Sequence, residues 1–398
     1  MTTTINNEHK KLNVPNLRFP EFQGEWDKYE LGDICDIITD FVAAGSFASL
    51  RKNVKYYQEN NYAQLIRTID LKNNFTNSDF VYVDEVAYDF LWRVQLKEPN
   101  IVLPNIGANI GEKYYVKPQD LPKNKNVLGP NAILLRSKCN DTHFVYFRLS
   151  TSSYDNEMKK LVGASGQPKF NKTDLKKVSL FMPSLIEQKR IAYFLALLEE
   201  RIVTQNKIID KLQSLIKGIS SRIFASIQGI EYRLGDIATI TNGDSNVQDA
   251  VTEPKEGMYP FFDRSEDVKY LPTFLFDKEA IIYPGEGTEF MPRYIKGKFA
   301  LHQRCYAIFD FKDTVTAQFL YFYLKTQNFY FVRNAVGSTV PSLRLDTFQK
   351  LKVIIPPKIM QHKVSLCLSS MEQKCNAEKV ILQLLLKQKQ YLLCQMFI

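Results

Sequence analysis

The sequence predicts an α+β chain in which two similar mixed domains of short strands and short helices are separated by two long helices. Three observations predict it. An internal repeat runs through the chain, at a constant offset of 173 residues from Ser165 to the end of the first long helix. Two amphipathic segments with heptad spacing stand at the middle and at the end of the chain. Short β-like runs, punctuated by glycine and proline, fill the space before each segment.

Bulk properties set the frame. A chain of 398 residues exceeds one ordinary core, so two or more domains are expected, and 45% apolar content is enough to fill them. No run of 18 uninterrupted apolar residues exists, so no membrane span is expected. The start, MTTTINNEHKK, lacks an apolar signal core, which predicts a cytoplasmic protein. The six cysteines form no CxxC pair, which fits reduced thiols better than a zinc site or a disulfide framework. The formal net charge of +9 favours a polyanionic partner, nucleic acid first. A charge excess spread over a large surface is the bland alternative.

The repeat sets the organisation. PSLIEQKRIAYFLALLEERI (183–202) aligns with PPKIMQHKVSLCLSSMEQKC (356–375), placing Ile186 on Ile359, Gln188 on Gln361, Leu195 on Leu368 and Glu199 on Glu372. The match reaches forward to Ile223-Phe224 and Met396-Phe397, and back to Ser165 and Pro168 against Ser338 and Pro341. Upstream, YELGDICDI (29–37) echoes YRLGDIATI (232–240), and FVYFRLST (144–151) echoes FLYFYLKT (319–326). The predicted order is an N-terminal segment (1–26), a first domain (27–182), a central helix (183–228), a second domain (229–355) and a C-terminal helix (356–398).

Each domain reads as short strands closed by helices. The β-like runs are YAQLIRTIDL, FVYVDEV, NIVLPNIG and NAILLRS in the first copy, and AIIYPG, RYIKGKFAL and CYAIFDF in the second. IVLPNIG (101–107) matches IIYPGEG (281–287), and helical stretches are expected at 143–161 and 317–335. The first copy is about thirty residues longer, and the two differ widely in the middle. A shared frame with unlike interiors suits one scaffold reading two different ligands.

The long helices follow from spacing. Ile191, Leu195, Leu198, Ile202, Gln205, Ile209, Leu212, Ile216, Ile219 and Ile223 step alternately by four and three, a heptad seam. Val364, Leu368, Met371, Cys375, Glu378, Leu382, Leu385, Lys389, Leu392 and Met396 repeat those steps. Gln205 and Glu378 are the equivalent polar members near each midpoint. If the helices pair antiparallel, both fall in one central layer, where a polar pair can fix register. Snorkelling of one of them to solvent is the alternative. Pro183 and Pro356-Pro357 precede the helices, where a missing N–H costs nothing. Ser184 is the expected N-cap, with Glu187 as the capping-box partner. The first helix is expected to end near Ser226, before Gln228-Gly229, giving a rod of roughly 57 Å at ~1.5 Å per residue.

An LGDI opening, a variable α/β segment, a Gly/Ser/Pro turn (GASGQP at 163–168, GSTVP at 337–341), a strand ending in proline and a heptad helix occur twice in the same order. With the entry NVPNLRFPEFQGEW, this doubled order resembles the DNA-specificity subunit of type I restriction–modification enzymes over nearly the whole chain. The resemblance implies two target-recognition domains, each binding one half of a split site on double-stranded DNA. It implies that the two helices form an antiparallel ruler that docks two methylation subunits, and that restriction subunits complete the complex. It also implies that this chain is non-catalytic and binds no cofactor or metal itself, with S-adenosylmethionine, ATP and Mg²⁺ on the partner subunits. Two readers about one DNA turn apart, ~34–36 Å, fit the expected rod, and unlike domains imply an asymmetric, bipartite target.

Basic residues in loop-like settings are the candidate DNA contacts. They are Arg51, Lys52, Lys55, Arg67 and Lys113 in the first domain, and Arg264, Arg293, Lys296 and Arg304 in the second. Arginine reads guanine bidentately and lysine grips phosphate, while Asn105 and Asn109 are candidates for adenine. Arg67 and Arg264 occupy similar places in the two copies. A solvated surface charge is the alternative for each.

Catalytic classes find no support. The only Pro-Pro, in IIPPK, lacks the flanks of an amino-methylation motif, and no GxxxxGK[ST] loop is present. The Glu-x-Lys triplets 157–159 and 187–189 lie in charged helical runs without a preceding Pro-Asp. None of the four histidines is paired at metal-ligand spacing. The remaining alternative is a coiled-coil scaffold with two protein-binding domains, separable from a DNA reader by its weak dependence on salt.

Overall fold

The computed structural model describes residues 13–76, 79–107, 109–162 and 169–398. The Ser165 and Pro168 match and the GASGQP turn fall outside the described residues. The chain divides into two compact units. One comprises the chain up to Thr204 together with Gln383–Ile398, the other Gln205–Leu382.

The first unit contains β1 (Asp27–Glu30), β2 (Ile37–Asp40), β3 (Ala63–Ile66), β4 (Val81–Val83), β5 (Asn100–Pro104), β6 (Tyr114–Val116), β7 (Asn126–Leu128), β8 (Ala132–Arg136) and β9 (Ser179–Met182). They form sheets ordered β2-β8-β5-β6, β4-β3-β7 and β1-β9. β5 is buried along its whole length and β8 nearly so, as their continuous apolar runs require when both faces are covered. The period of two divides them. Ile101, Leu103, Ile133 and Leu135 pack with Phe144 and Phe147 of helix Thr142–Leu149. Val102, Ala132 and Leu134 enter a second core with Phe41, Leu65 and Val127.

The second unit contains β10 (Ile230–Arg233), β11 (Thr239–Asn242), β12 (Tyr259–Phe262), β13 (Lys269–Leu271), β14 (Phe276–Pro284), β15 (Arg293–Leu301), β16 (Cys305–Phe309) and β17 (Lys352–Ile355). Its main sheet is ordered β11-β16-β14-β15-β12-β13, beside the pair β10-β17. The first four strands repeat β2-β8-β5-β6. β3 pairs antiparallel with β4 and parallel with β7; β12 pairs antiparallel with β13 and parallel with β15. The nine-residue β15 therefore does the work of both β6 and β7. In the first unit, residues 117–125 interrupt that path and the sheet splits in two.

The repeated motifs have physical reasons. Leu31 donates its N–H to Val178 O at 2.8 Å, and Leu234 donates to Leu351 O at 2.8 Å. The LGDI glycines admit a neighbouring helix: a Cβ on Gly32 would stand 3.2 Å from Lys176 Cβ, and one on Gly235 would stand 3.1 Å from Gln349 Cβ. The expected stretches at 143–161 and 317–335 are each two helices, Thr142–Leu149 with Ser152–Val162 and Ala317–Lys325 with Asn328–Asn334. Near both breaks a threonine hydroxyl donates back into the preceding turn, Thr151 to Arg148 O and Thr326 to Tyr323 O.

The long helices are Leu185–Ser226 (42 residues) and Lys358–Gln395 (38 residues). At ~1.5 Å per residue they span about 63 and 57 Å. The first stops where Gly229 lies so close to Ile355 O that a Cβ would come within 2.3 Å. Ser184 Oγ accepts the Glu187 N–H at 3.4 Å, the first half of a capping box. The second half is absent because the Glu187 carboxylate turns to Arg18 instead.

In both units the two helices run antiparallel. Ile191 and Leu195 share a core with Leu392 and Met396 in the first. Ile219 and Ile223 pack against the cluster that holds Val364 and Leu368 in the second. Every seam position is buried or half-buried, including Ile202, Ile209, Leu212, Met371, Cys375, Leu382 and Leu385. Gln205 Nε2 donates to Glu378 Oε2 at 2.6 Å and to Glu378 O at 3.0 Å, while Lys374 Nζ holds Glu378 Oε1 at 2.5 Å. Gln205 and Glu378 are 7% and 8% exposed, so neither side chain snorkels.

A satisfied polar pair in an apolar seam selects one register at some cost in stability. The Gln205→Leu, Glu378→Leu double variant is expected to keep its helical content and lose register uniqueness. Distance distributions between spin labels on the two helices should broaden. A single sharp distance in a more stable protein would contradict the register role.

Candidate nucleic-acid interface

Each domain is fixed to its long helix by the same buried side chain. Gln188, 2% exposed, accepts the Asp141 N–H on Oε1 at 3.0 Å and donates from Nε2 to Asn140 Oδ1 and Pro183 O, both at 2.9 Å. Gln361, fully buried, accepts the Thr316 N–H at 2.8 Å and donates to Thr314 O at 2.8 Å and Pro356 O at 2.9 Å. Asp141 and Thr316 are the N-caps of the helices that carry each aromatic core. Three turns on, Glu199 pairs with Lys389 at 2.6 Å and faces His143 at 3.7 Å, and its counterpart Glu372 pairs with Lys325. Burial alone would raise the Glu199 pKa, yet His143 and Lys389 hold it below the usual carboxylate value.

The candidate contacts divide into free and committed residues. Arg51, Lys52 and Lys55, on and just after helix Phe47–Asn53, are exposed and meet no carboxylate among the described residues, and the same holds for Arg264 and Lys296. Arg304 is exposed but pairs with Glu286 at 2.6 Å. Arg67 is committed to the fold. Its Nη2 lies 2.6 Å from the fully buried Asp70, which also accepts the Arg67 N–H, and the bond raises the Arg67 pKa above its ordinary value.

Arg293 binds Ser265 O at 3.0 Å and Asp263 O at 2.7 Å over the Phe262 ring, and burial lowers its pKa. Lys113 pairs with Asp155 at 2.5 Å, Asn109 Oδ1 accepts from Lys72 Nζ at 2.9 Å, and Asn105 Nδ2 donates to Phe170 O at 3.3 Å. Arg67 and Arg264 do follow equivalent strands, β3 and β12, yet only Arg264 is free.

The structure adds a pair of lysines that the sequence did not single out. Lys125 Nζ sits 3.7 Å from the Tyr62 ring centroid, and Lys298 Nζ sits 4.6 Å from the Phe274 ring and 5.8 Å from the Tyr259 ring. The β3–β7 and β12–β15 registers make them equivalent: Ile66 faces Leu128 as Phe262 faces Leu301. Lys97 over Tyr88 and Lys123 over Tyr82 extend the basic-aromatic face of the first domain. The lysine-bearing run LPKNKN (121–126) was the available signal. The equivalence itself was hidden, because the copies do not align there.

Away from the seam the long helices carry exposed apolar side chains at matched positions. Ile186 and Ile359 are 75% and 72% exposed, and Tyr193 and Leu366 are 62% and 74% exposed. Among the described residues no group of three or more His, Cys, Asp or Glu could hold a metal, and no helix is long and apolar enough to cross a membrane.

Comparison with known proteins agrees with this architecture. A family model described as the type I restriction modification DNA specificity domain matches residues 23–214 and again 230–387. The type I restriction enzyme EcoDI specificity subunit of Escherichia coli is 30% identical over 125 residues, covering 31% of this chain and 26% of that protein. The chain thus matches about a quarter of that relative's length. The crystal structure of a type I restriction-modification S subunit from M. genitalium superposes with a TM-score of 0.66 at 17% identity, covering 97% of this chain and 99% of that one. A chain from a structure of complex assembly and conformational transition of the type I R-M system gives a TM-score of 0.53 at 12% identity, with 92% and 96% covered. At these identities the two structures speak for the fold alone.

Proposed function

Because the chain belongs to the type I restriction modification DNA specificity family, we propose that it is the DNA-reading subunit of a type I restriction–modification complex. The observation that carries this reading is that the family model matches twice, once on each domain. Each domain reads one half of a bipartite site. The domains share a sheet order but differ in their outer segments, so the half-sites differ and the whole target is asymmetric. The long helices set the spacer between them.

The free cations Arg51, Lys52, Lys55, Arg264 and Lys296 face the duplex, with Arg304 able to exchange Glu286 for a phosphate or base. Arg67, Arg293 and Lys113 serve by holding the reading loops. Lys125 and Lys298 grip phosphates from equivalent places. The Lys125→Ala, Lys298→Ala double variant is expected to weaken binding evenly across sequences and to flatten the slope of log K against log salt by about 2. A slope unchanged within error would remove both lysines from the interface.

The apolar outer faces around Ile186 and Ile359 dock two methylation subunits, and restriction subunits join that assembly. Methyl transfer and cleavage, with S-adenosylmethionine, ATP and Mg²⁺, reside in those partners. Mapping methylated positions in a genome that expresses this chain with a methylation subunit tests the reading, and one asymmetric split motif is expected. Adding one heptad to each long helix keeps the seam in phase and lengthens it by ~10 Å. At ~3.4 Å per base pair the spacer should widen by about three base pairs with both half-sites unchanged. A change in half-site sequence instead would end the ruler idea.

A further inference from the structure

The first unit contains a cavity of about 480 Å³ between helix Phe47–Asn53 and the ends of β2, β5 and β8. Phe41, Phe47, Leu50, Val54 and Tyr56 form its apolar wall, and Arg51 stands at its rim. The volume lies within the roughly 300–1,000 Å³ of small-molecule sites. The geometry points to an unstacked nucleobase of the target duplex as its occupant. This inference rests on the DNA-recognition reading and adds to it a base pocket confined to one of the two domains.

Three observations carry it. The first is charge. Arg51 lines the cavity, Lys52 and Lys55 lie on and just after the same helix, and none of the three meets a carboxylate among the described residues. A phosphate backbone supplies the anions that this rim lacks. Asp40, the acid among the lining residues, is already bound by Lys172 Nζ at 2.8 Å.

The second is unspent polarity and strain beside an apolar wall. Asn105 and Asn131 also line the cavity. Asn105 Oδ1 is buried and meets no donor among the described residues, a costly state for an acceptor. Asn131 adopts φ +66°, a left-handed conformation that non-glycine residues hold chiefly at turns and functional sites. Its carbonyl accepts the Asn105 N–H at 3.2 Å. Turning the Asn105 side chain toward the cavity would offer its unpaired Oδ1 to an exocyclic amino group of a base, and the aromatic wall would replace lost stacking.

The third is the contrast with the other domain. Asn105 follows β5 as Gly285 follows β14, and Asn131 precedes β8 as Arg304 precedes β16. In the second unit Gly285 lies so near Arg304 O that a Cβ would come within 1.8 Å, so no side chain can stand where Asn105 stands in the first. The segment joining β11 to β12 also contains no helix corresponding to Phe47–Asn53. Phe47, 79% exposed at the lip, therefore has no counterpart.

The test uses the chain assembled with its methylation subunits on duplexes carrying the mapped motif. 2-Aminopurine is placed in turn at each position of both half-sites. Methyltransferases extrude their target base, so enhanced fluorescence is expected at the methylated adenines in any case. The pocket predicts one further enhanced position, in the half-site read by the first domain. That signal should fall several-fold in Phe47→Ala, whose exposed ring can be removed without disturbing the core, and in Val54→Trp, which fills the cavity. The signals at the methylated adenines should persist in both variants. No further position, or one that both variants leave intact, overturns the pocket while the specific complex still forms. Failure of the wild-type complex to bind DNA overturns the recognition reading, and the pocket with it.

Discussion

Replacing Gln188 by leucine is expected to destabilise the first unit by roughly 3 kcal/mol, and Gln361→Leu should do the same to the second. Each glutamine satisfies three partners at once: the backbone N–H of an N-cap residue, the carbonyl just before its own helix, and one further acceptor. Leucine fills nearly the same volume but leaves those buried groups unpaired, and each costs about 1 kcal/mol or more. Glutamate is the sharper probe. It keeps the shape and the Oε1 acceptor, yet sets a second oxygen against two acceptors, so it should be at least as damaging as leucine. Hydrogen exchange can localise the effect. Amides of Thr142–Leu149 should lose protection in the Gln188 variants only, and those of Ala317–Lys325 in the Gln361 variants only. Glutamate variants with wild-type protection would mean that the side chain matters for packing rather than for its bonds.

These glutamines also mark the boundary of what the sequence discloses. Their equivalence is legible, since both sit at the repeat offset beside a seam isoleucine or valine. Their role is not, because the groups they bind lie 45–48 residues upstream. The seam from Ile191 to Leu385 was readable because heptad spacing is a local signal that survives any tertiary context. The equivalence of Gln205 and Glu378 was readable with it, but the sequence left open whether both are buried, and it gave no sign of their hydrogen bonds. Strand pairing was less accessible. β15 and its divided counterparts, β6 and β7, share little sequence, and their correspondence emerges only from register.

The basic residues were the least legible of all. An arginine two residues after β12 is free, whereas one directly after β3 is captured by Asp70 three residues on. Local sequence offers both as equal candidates. Only geometry separates Arg264 from Arg67, and only topology brings Lys125 and Lys298 into correspondence.

The N-terminal segment supplies the other large effect. Arg18 Nε and Nη2 each stand 2.7 Å from an oxygen of Glu187, whose side chain is 2% exposed, and Nη1 and Nη2 bind Gly24 O and Gln23 O. Leu17 donates its N–H to Gln395 O at 2.8 Å, and Trp26 meets Phe144 and Phe397 edge-on. The segment is thus a strap across the start of one long helix and the end of the other within the first unit. In the second unit the position of Glu187 is taken by the half-exposed Met360, since there the chain arrives directly from the first long helix and no strap is needed. Glu187→Gln should cost about 2–3 kcal/mol, because it removes the countercharge of a guanidinium whose side chain is only 12% exposed and leaves it one amide oxygen with the Gln23 and Gly24 carbonyls. Substituting both partners together, Arg18→Met with Glu187→Leu, removes the buried charge from both sides and should restore most of that loss. Urea denaturation of the four members of the cycle measures it, and limited proteolysis between Asn13 and Trp26 reports whether the strap has lifted. A single substitution that costs less than the double would show that the pair is held by the fold and does not hold it.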